Sequence, residues 1–284
     1  MVLEEHDLSW VRKELDELGI PPLKRFGQHF LVDKRTRDDM VAAADLSLKD
    51  RVLEIGPGLG FLTIELAKHA GAVVAVEKDR TLSAYLKHRY SGVRNLSVVQ
   101  DDALRVGKLE CTKIVSSPPY NISSKLILFI LQNEFDLSVL LLQLEFVQRL
   151  TANSGTNAYG RLTASFQARA QAKLIAKVAK SAFYPMPKVD SAIVTIKPRL
   201  DRPRITDQLG FEELARVLFT QRRRKLEGVL SKYLRSKWPS MAKSILADVP
   251  ILEKRIFQIS PPELVDLSNL IVDRIQRKGE VIDA

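Results

Sequence analysis

Residues 116–120 read Ser-Ser-Pro-Pro-Tyr directly after the apolar run Thr-Lys-Ile-Val, a pattern that scaffold alone does not need. Two consecutive prolines continue neither a helix nor a central strand. They can, however, stop a strand and hold a backbone carbonyl outward. An exocyclic amine on a base or an amide is a poor nucleophile, because its lone pair is conjugated into the ring or carbonyl. Methylating such a nitrogen calls for acceptors that take its hydrogens and hold it in line with the methyl group. The Pro118 carbonyl and the Ser117 side chain are candidates for that role, and Tyr120 for stacking on the planar group and excluding water. No strong base is required if the proton leaves after attack, so positioning and electrostatics carry the chemistry.

Three other places supply what such a reaction needs. VLEIGPGLGFLT, residues 52–63, is a strand-like run entering a turn with Gly56, Gly58 and Gly60. Glycines here let a ligand approach the backbone and point amide groups at it. Alone, the turn also suits a nicotinamide or flavin protein, although Gly-x-Gly-x-Gly is one residue tighter than the dinucleotide fingerprint. Glu77 closes the next strand-like run, where a carboxylate can take both hydroxyls of a ribose. The third run ends in Gln100-Asp101-Asp102-Ala103 and offers Asp102 to an adenine amino group. Glycine turn, ribose acid and adenine acid at successive strand ends describe a site for S-adenosylmethionine (SAM), with Ser-Pro-Pro-Tyr at the fourth strand end.

The elements that must position these residues follow from the hydrophobic pattern. Strand-like runs occupy 51–55, 72–77, 96–100, 112–116 and 138–143, with helical patterns around 34–44, 60–70, 80–90 and 123–133. Strands alternating with helices imply parallel strands joined by right-handed crossovers, hence an open α/β sheet. Two later runs, 173–180 and 191–198, are joined by SAFYPMPKVD, too short for a crossover, and are expected to pair antiparallel at one edge. Leu8, Val11, Leu15 and Leu18 predict an N-terminal helix stopped by Gly19, Pro21 and Pro22, and PLKRFGQHFL follows as an irregular basic segment. Around residue 200, KPRLDRPRI reads as a linker. Beyond it the chain is helical and basic, with Phe211, Leu214, Leu218, Leu226 and Leu230 as apolar anchors.

Composition narrows the class. A chain of 284 residues with 45% hydrophobic and 27% charged residues can bury a core, and a net charge of +10 favours an anionic partner. Cys111 is the only cysteine, which excludes an intramolecular disulfide and suits a reducing cytoplasm. The acidic, polar start resembles neither a signal peptide nor a transit peptide, and no apolar run is long enough for a membrane span. His6, His29, His69 and His88 are scattered without metal-ligand spacing, so no zinc is expected.

These motifs together resemble the ribosomal RNA adenine dimethyltransferases, the kasugamycin-resistance family that modifies small-subunit rRNA. FGQHFL, EIGPGLGFLT, QDDAL, PPYNISS, LLQLEFVQRL, YGRLT, FYPMPKVDSAIV and LFTQRRRKL follow in the family's order from about residue 21 to 270. The resemblance implies a Rossmann-like, mostly parallel SAM-methyltransferase sheet with an antiparallel edge hairpin and a small all-helical C-terminal domain. The catalytic domain would span 1–200, its first 30 residues forming the N-terminal helix and leading segment, and an RNA-binding domain would span 201–284. By position, His29 and Leu31 would close over the cofactor, Gly56 and Gly58 would contact it, Glu77 would hold the ribose and Asp102 the adenine. Ser117 and the Pro118 carbonyl would face the target amine, with Ser117 also beside the cofactor. Tyr120 and Phe183 would sandwich the target adenine, and Arg222, Arg223, Arg224 and Lys225 would contact phosphates. The family usually has asparagine and leucine where this chain has Ser117 and Pro118, and many relatives have asparagine at His29. The implied reaction is transfer of methyl groups from SAM to two adjacent adenines of small-subunit rRNA, by a cytoplasmic monomer acting on a pre-30S-like particle. The competing readings are an assembly factor for which methylation is secondary or lost, and a methyltransferase acting on DNA adenine or protein glutamine.

Overall fold

The computed structural model describes residues 8–21, 27–105, 110–199, 201 and 204–282, with side chains to 277. Residues 1–7, residues 22–26 of the expected basic segment, and Leu200, Arg202 and Pro203 of the expected linker lie outside them.

The chain divides into two compact units. One holds the residues up to Val147 together with Ala172–Pro198; the other holds Gln148–Gln171 and the chain from Arg199 onward. The last changeover falls between Pro198 and Arg199, and residues 148–171 group with the helical unit rather than with the α/β unit. The physical reason is burial: Tyr159, Ala164 and Ala168 belong to the same apolar cluster as Phe211, Leu218 and Leu230.

The first unit begins with α1 (Leu8–Glu17), β1 (Phe30–Leu31), α2 (Lys34–Ala44), β2 (Arg51–Ile55), α3 (Thr63–His69), β3 (Ala72–Glu77), α4 (Arg80–Arg89), β4 (Leu96–Gln100), β5 (Lys113–Ser116), α5 (Ser123–Gln132) and β6 (Leu137–Gln143). Along the chain α6 (Leu144–Leu150) and α7 (Arg161–Gln167) follow, then β7 (Ala170–Val178), β8 (Phe183–Tyr184) and β9 (Ser191–Pro198). The main sheet runs β4-β3-β2-β5-β6-β9-β7. Strands β2 to β6 pair in parallel and β9 antiparallel to β6. Sequence order reverses at β2, whose neighbours are β3 and β5. At such a switch point the loops leaving the carboxyl ends of adjacent strands diverge and open a crevice.

Strand character matches position. β6 reads Leu-Ser-Val-Leu-Leu-Leu-Gln and is buried almost throughout, as expected for a strand covered on both faces. β7 is an edge strand whose residues alternate in exposure, with Lys173 and Lys177 outward; such charges discourage edge-to-edge pairing. Asp33 caps α2 by accepting from the Thr36 amide, and Asp79 caps α4 by accepting from Thr81 and Leu82, fixing where each helix leaves its loop. β1 and β8 form a separate two-stranded sheet, with Phe30 opposite Tyr184 and Leu31 opposite Phe183.

The second unit is helical: α7, α8 (Gln208–Thr220), α9 (Leu226–Lys237), α10 (Ala242–Ala247) and α11 (Pro261–Ile282). Phe211, Leu214, Leu218, Leu226 and Leu230 are all buried in its core. The Tyr159 hydroxyl donates to the Ile259 carbonyl at 3.0 Å, so this core aromatic keeps its polar end satisfied.

Candidate active site

A cavity of about 240 Å³ opens at the carboxyl ends of β2 to β5. Its floor is the glycine turn after β2. Gly56, Gly58 and Gly60 take φ of 70°, 61° and 86°, a region other residues enter at a cost. At Gly60 a Cβ would lie 2.5 Å from Tyr90 Cε2 and 2.8 Å from Leu86 Cδ2, and at Gly58 3.1 Å from the Phe30 ring. A side chain at Gly60 would therefore force Tyr90 or Leu86 to move, and one at Gly58 would crowd Phe30.

Glu77 ends β3 beside it, 6% exposed. One carboxylate oxygen accepts from the Gly58 amide (3.1 Å) and the other from the Asp79 amide (2.8 Å). Burial nevertheless pushes its pKa up to about 7, against the lowering effect of those amides. The carboxylate, with about four acceptor sites, keeps capacity for a hydroxyl donor beyond the backbone amides it already accepts from. Asp102 follows β4 and lines the same cavity with Asp101. Lys78 Nζ donates to its Oδ2 at 2.9 Å and the Leu104 amide to its Oδ1 at 3.1 Å. The Lys78 ammonium holds this carboxyl below the usual range, so Asp102 is an ionised acceptor.

The fourth strand end completes the cavity. Ser116 is fully buried and its hydroxyl donates to the Ile55 carbonyl at 2.5 Å, clamping the end of β5 to that of β2. The next residue turns the other way: Ser117 lines the cavity with Pro118, Pro119 and Tyr120. Among the described residues neither the Ser117 hydroxyl nor the Pro118 carbonyl has a hydrogen-bond partner. Tyr120 donates to or accepts from Ser191 Oγ at 2.5 Å, and burial raises its pKa, so the phenol remains neutral and serves as a surface rather than a base.

His29 and Phe183 also line the cavity, brought there by the β1–β8 pair. His29 Nδ1–H donates to the Pro185 carbonyl at 2.6 Å, and its ring stacks on Tyr120 at 5.7 Å and 25°. Leu31, buried opposite Phe183, and the neighbouring Phe30 both line a smaller adjoining cavity that shares His29, Gly56, Gly58 and Ser117 with the first. Phe30 lines the first as well. The expected aromatic pair is brought together, but not in parallel. Tyr120 and Phe183 meet edge-on, with centroids 6.3 Å apart and planes at 72°. A base between parallel rings needs two contacts of roughly 3.5–4 Å, hence about 7 Å or more, so no sandwich exists in this arrangement.

A model of the ribosomal RNA adenine dimethylase family matches residues 23–261. The chain belongs to that family. It is 40% identical over 264 residues to the probable ribosomal RNA small subunit methyltransferase A of Pyrococcus abyssi, covering 90% of this chain and 94% of that protein. The equivalent protein of Methanosarcina mazei is 39% identical over 87% of this chain and 92% of its own length. Among solved structures, a dimethyladenosine transferase from Plasmodium falciparum superposes with a TM-score of 0.77 at 27% identity, covering 87% of this chain and 98% of that one. The 23S rRNA methyltransferase ErmE gives 0.61 at 27% identity, over 86% and 99%.

For a member of the adenine dimethylase family, this chain also carries site residues that motif reading passed over. Lys78 and Phe30 are two. Glu54 is a third: it lies on β2, 1% exposed, lines the smaller adjoining cavity with Gly56 and Ser117, and its Oε2 lacks a hydrogen-bond partner among the described residues. Burial, reinforced by the nearby Glu77 charge, pushes its pKa up to about 8. A charged residue type inside the apolar run Val-Leu-Glu-Ile was the available signal.

The basic run of the helical unit divides into separate roles. It is not a helix face but the turn between α8 and α9, because Phe257 N donates to Arg222 O, Ile256 N to Arg224 O and Leu226 N to Lys254 O. Arg222 is turned inward, donating to the Thr156 and Asn157 carbonyls at 3.3 and 3.0 Å and lying over the Phe257 ring. Lys225 pairs with Glu253 at 2.5 Å. Arg223 and Arg224 are exposed, and among the described residues neither guanidinium has a carboxylate partner. No helix among the described residues is long and apolar enough to cross a membrane.

Proposed function

We propose that this chain transfers methyl groups from SAM to the exocyclic amino nitrogen of two adjacent adenines in small-subunit rRNA, giving dimethyladenosine during ribosome biogenesis. Family membership supports SAM as donor and rRNA as acceptor. The observation that carries the reading is a single cavity holding both halves of such a reaction. Gly58, Glu77 and Asp102 stand at one end, and the unpartnered Ser117 hydroxyl and Pro118 carbonyl beside Tyr120 at the other.

The residues fit that donor. Glu77 offers its remaining acceptor capacity to the ribose hydroxyls, Asp102 an ionised oxygen to the adenine amine, and the glycine turn its backbone to the methionine part. Bound SAM supplies an electrophilic methyl group on a sulfonium sulfur. On the acceptor side, the Ser117 hydroxyl and Pro118 carbonyl take the two amino hydrogens, which pulls electron density back toward nitrogen and aims its lone pair. Tyr120 supports the base from one face, with the Phe183 ring edge beside it in the cavity wall. So held, the amino nitrogen would form its bond to the methyl carbon as the methyl–sulfur bond breaks, the electron pair staying on sulfur as a neutral thioether, and the amino proton would then leave to water. Tyr120 stays protonated throughout, consistent with its raised pKa.

Arg223 and Arg224 are the phosphate contacts this reading favours, with the immature small subunit as the partner and the cytoplasm as the site of action. Phosphate contacts set affinity and register, not base identity. Incubating the protein with undermethylated small subunits and labelled SAM, followed by mass spectrometry of the rRNA, tests the proposal. Dimethyladenosine at two adjacent positions is the expected product. Methylation of large-subunit rRNA instead, or of no adenine where a relative is active, would overturn it.

A further inference from the structure

We propose that Met186 is a wedge that enters the RNA base stack where the target adenine has been drawn out, an inference that rests on the RNA-methylating reading above. The loop Pro185–Val189 displays two of the large apolar side chains exposed among the described residues, Met186 at 57% and Val189 at 45%. Single exposed apolar residues are ordinary, but two on one loop beside a cavity mark a contact surface.

The loop is tied to the cavity at three points. It starts at Phe183, in the wall; the Pro185 carbonyl accepts from His29; and it ends at Ser191, hydrogen-bonded to Tyr120. Pro187 is buried and Pro185 half-buried, while Met186 and Lys188 are exposed. Proline restricts the backbone on both sides of Met186, so its side chain is held out on a stiff platform next to the rings that would receive the base.

An adenine inside a stacked helix cannot reach the cavity without being extruded, which costs unstacking energy. Apolar side chains such as methionine offset that cost by inserting at the opened step. Lys188, between the two apolar residues, is placed to meet a flanking phosphate. The protein alone gains nothing in packing from so exposed a methionine; the gap beside an extruded base gives it a partner.

The test uses the full chain, its Met186→Ala and Met186→Leu variants, immature small subunits, and subunits reconstituted with 2-aminopurine at one target adenine. Met186→Ala should slow transfer about tenfold or more, the equivalent of losing one apolar insertion, leave SAM affinity unchanged, and abolish the fluorescence rise that reports extrusion. Met186→Leu should restore most of both. Wild-type transfer and fluorescence in Met186→Ala, or an equal loss of SAM affinity, would overturn the wedge. A wild-type protein that extrudes the base but transfers no methyl would break the enzymatic reading and leave the wedge standing.

Discussion

The glycine turn of the α/β unit and the basic turn of the helical unit are equally short and equally conspicuous in the sequence. They fare differently in three dimensions. Around the first, Gly56, Gly58, Glu77 and Asp102 all line one cavity, each at the carboxyl end of a neighbouring parallel strand. In the second, four adjacent cations take three roles: Arg222 braces backbone carbonyls, Lys225 pairs with Glu253, and Arg223 and Arg224 face solvent. A motif whose residues differ in type, each demanded by its own chemistry, carries its roles with it. A run of like charges does not, because any of its members can satisfy the nearest acceptor.

The largest expected effect belongs to the cavity. Tyr120→Ala should cut methyl transfer by about 10- to 100-fold, the size of one base-stacking interaction, while SAM affinity measured by calorimetry stays near wild type. A parallel fall in SAM affinity would mean that Tyr120 supports the donor end and that the two ends are not separable. Glu77→Ala should weaken SAM binding by about tenfold or more, since hydrogen bonds to a charged acceptor contribute roughly 1.5–3 kcal/mol. It should leave RNA binding intact.

The cavity should also betray itself through pH. The Glu77 carboxyl must be ionised to accept from both hydroxyls, and its pKa is pushed up to about 7. SAM affinity is therefore full above that pH and falls as pH drops through it, whereas Glu77→Gln should show no such step. The basic turn gives smaller, split effects. Replacing Arg223 and Arg224 together by alanine should weaken rRNA binding several-fold and lower the salt slope by about one for each phosphate no longer neutralised. Arg222→Ala should leave that slope unchanged and reduce the melting temperature by a few degrees, as expected for about 1–2 kcal/mol of charge-assisted hydrogen bonding. If Arg222 instead shifted the salt slope, the inward assignment would fail and the run would act as one patch.

Much of the α/β unit was legible beforehand. The strands at 51–55, 72–77 and 96–100 have the predicted bounds, because apolar runs bordered by glycine or acidic residues leave little freedom in where a parallel strand ends. The β1–β8 pair was not legible. Two-residue strands carry no periodicity, and their partners lie far apart in the chain: Leu31 meets Phe183 only once the main sheet has formed. That pairing sets Phe30 and Leu31 beside the glycine turn, and it ties the Met186 loop to the strand that carries them. The grouping of residues 148–171 with the helical unit was likewise invisible, since Tyr159 and Ala164 look like core residues for either unit until their neighbours are known.

By itself, the sequence determined the chemistry available at four strand ends: a glycine turn, two acids and a Ser-Pro-Pro-Tyr stop, in an order that a parallel sheet brings side by side. Those requirements are local, set by backbone conformation and residue type. Only the tertiary structure decided which like residue takes which role, that Tyr120 and Phe183 meet edge-on, and that Arg222 turns inward while Arg223 and Arg224 face solvent. Such choices depend on distance between groups remote in sequence, and a side chain takes the partner that folding places within reach.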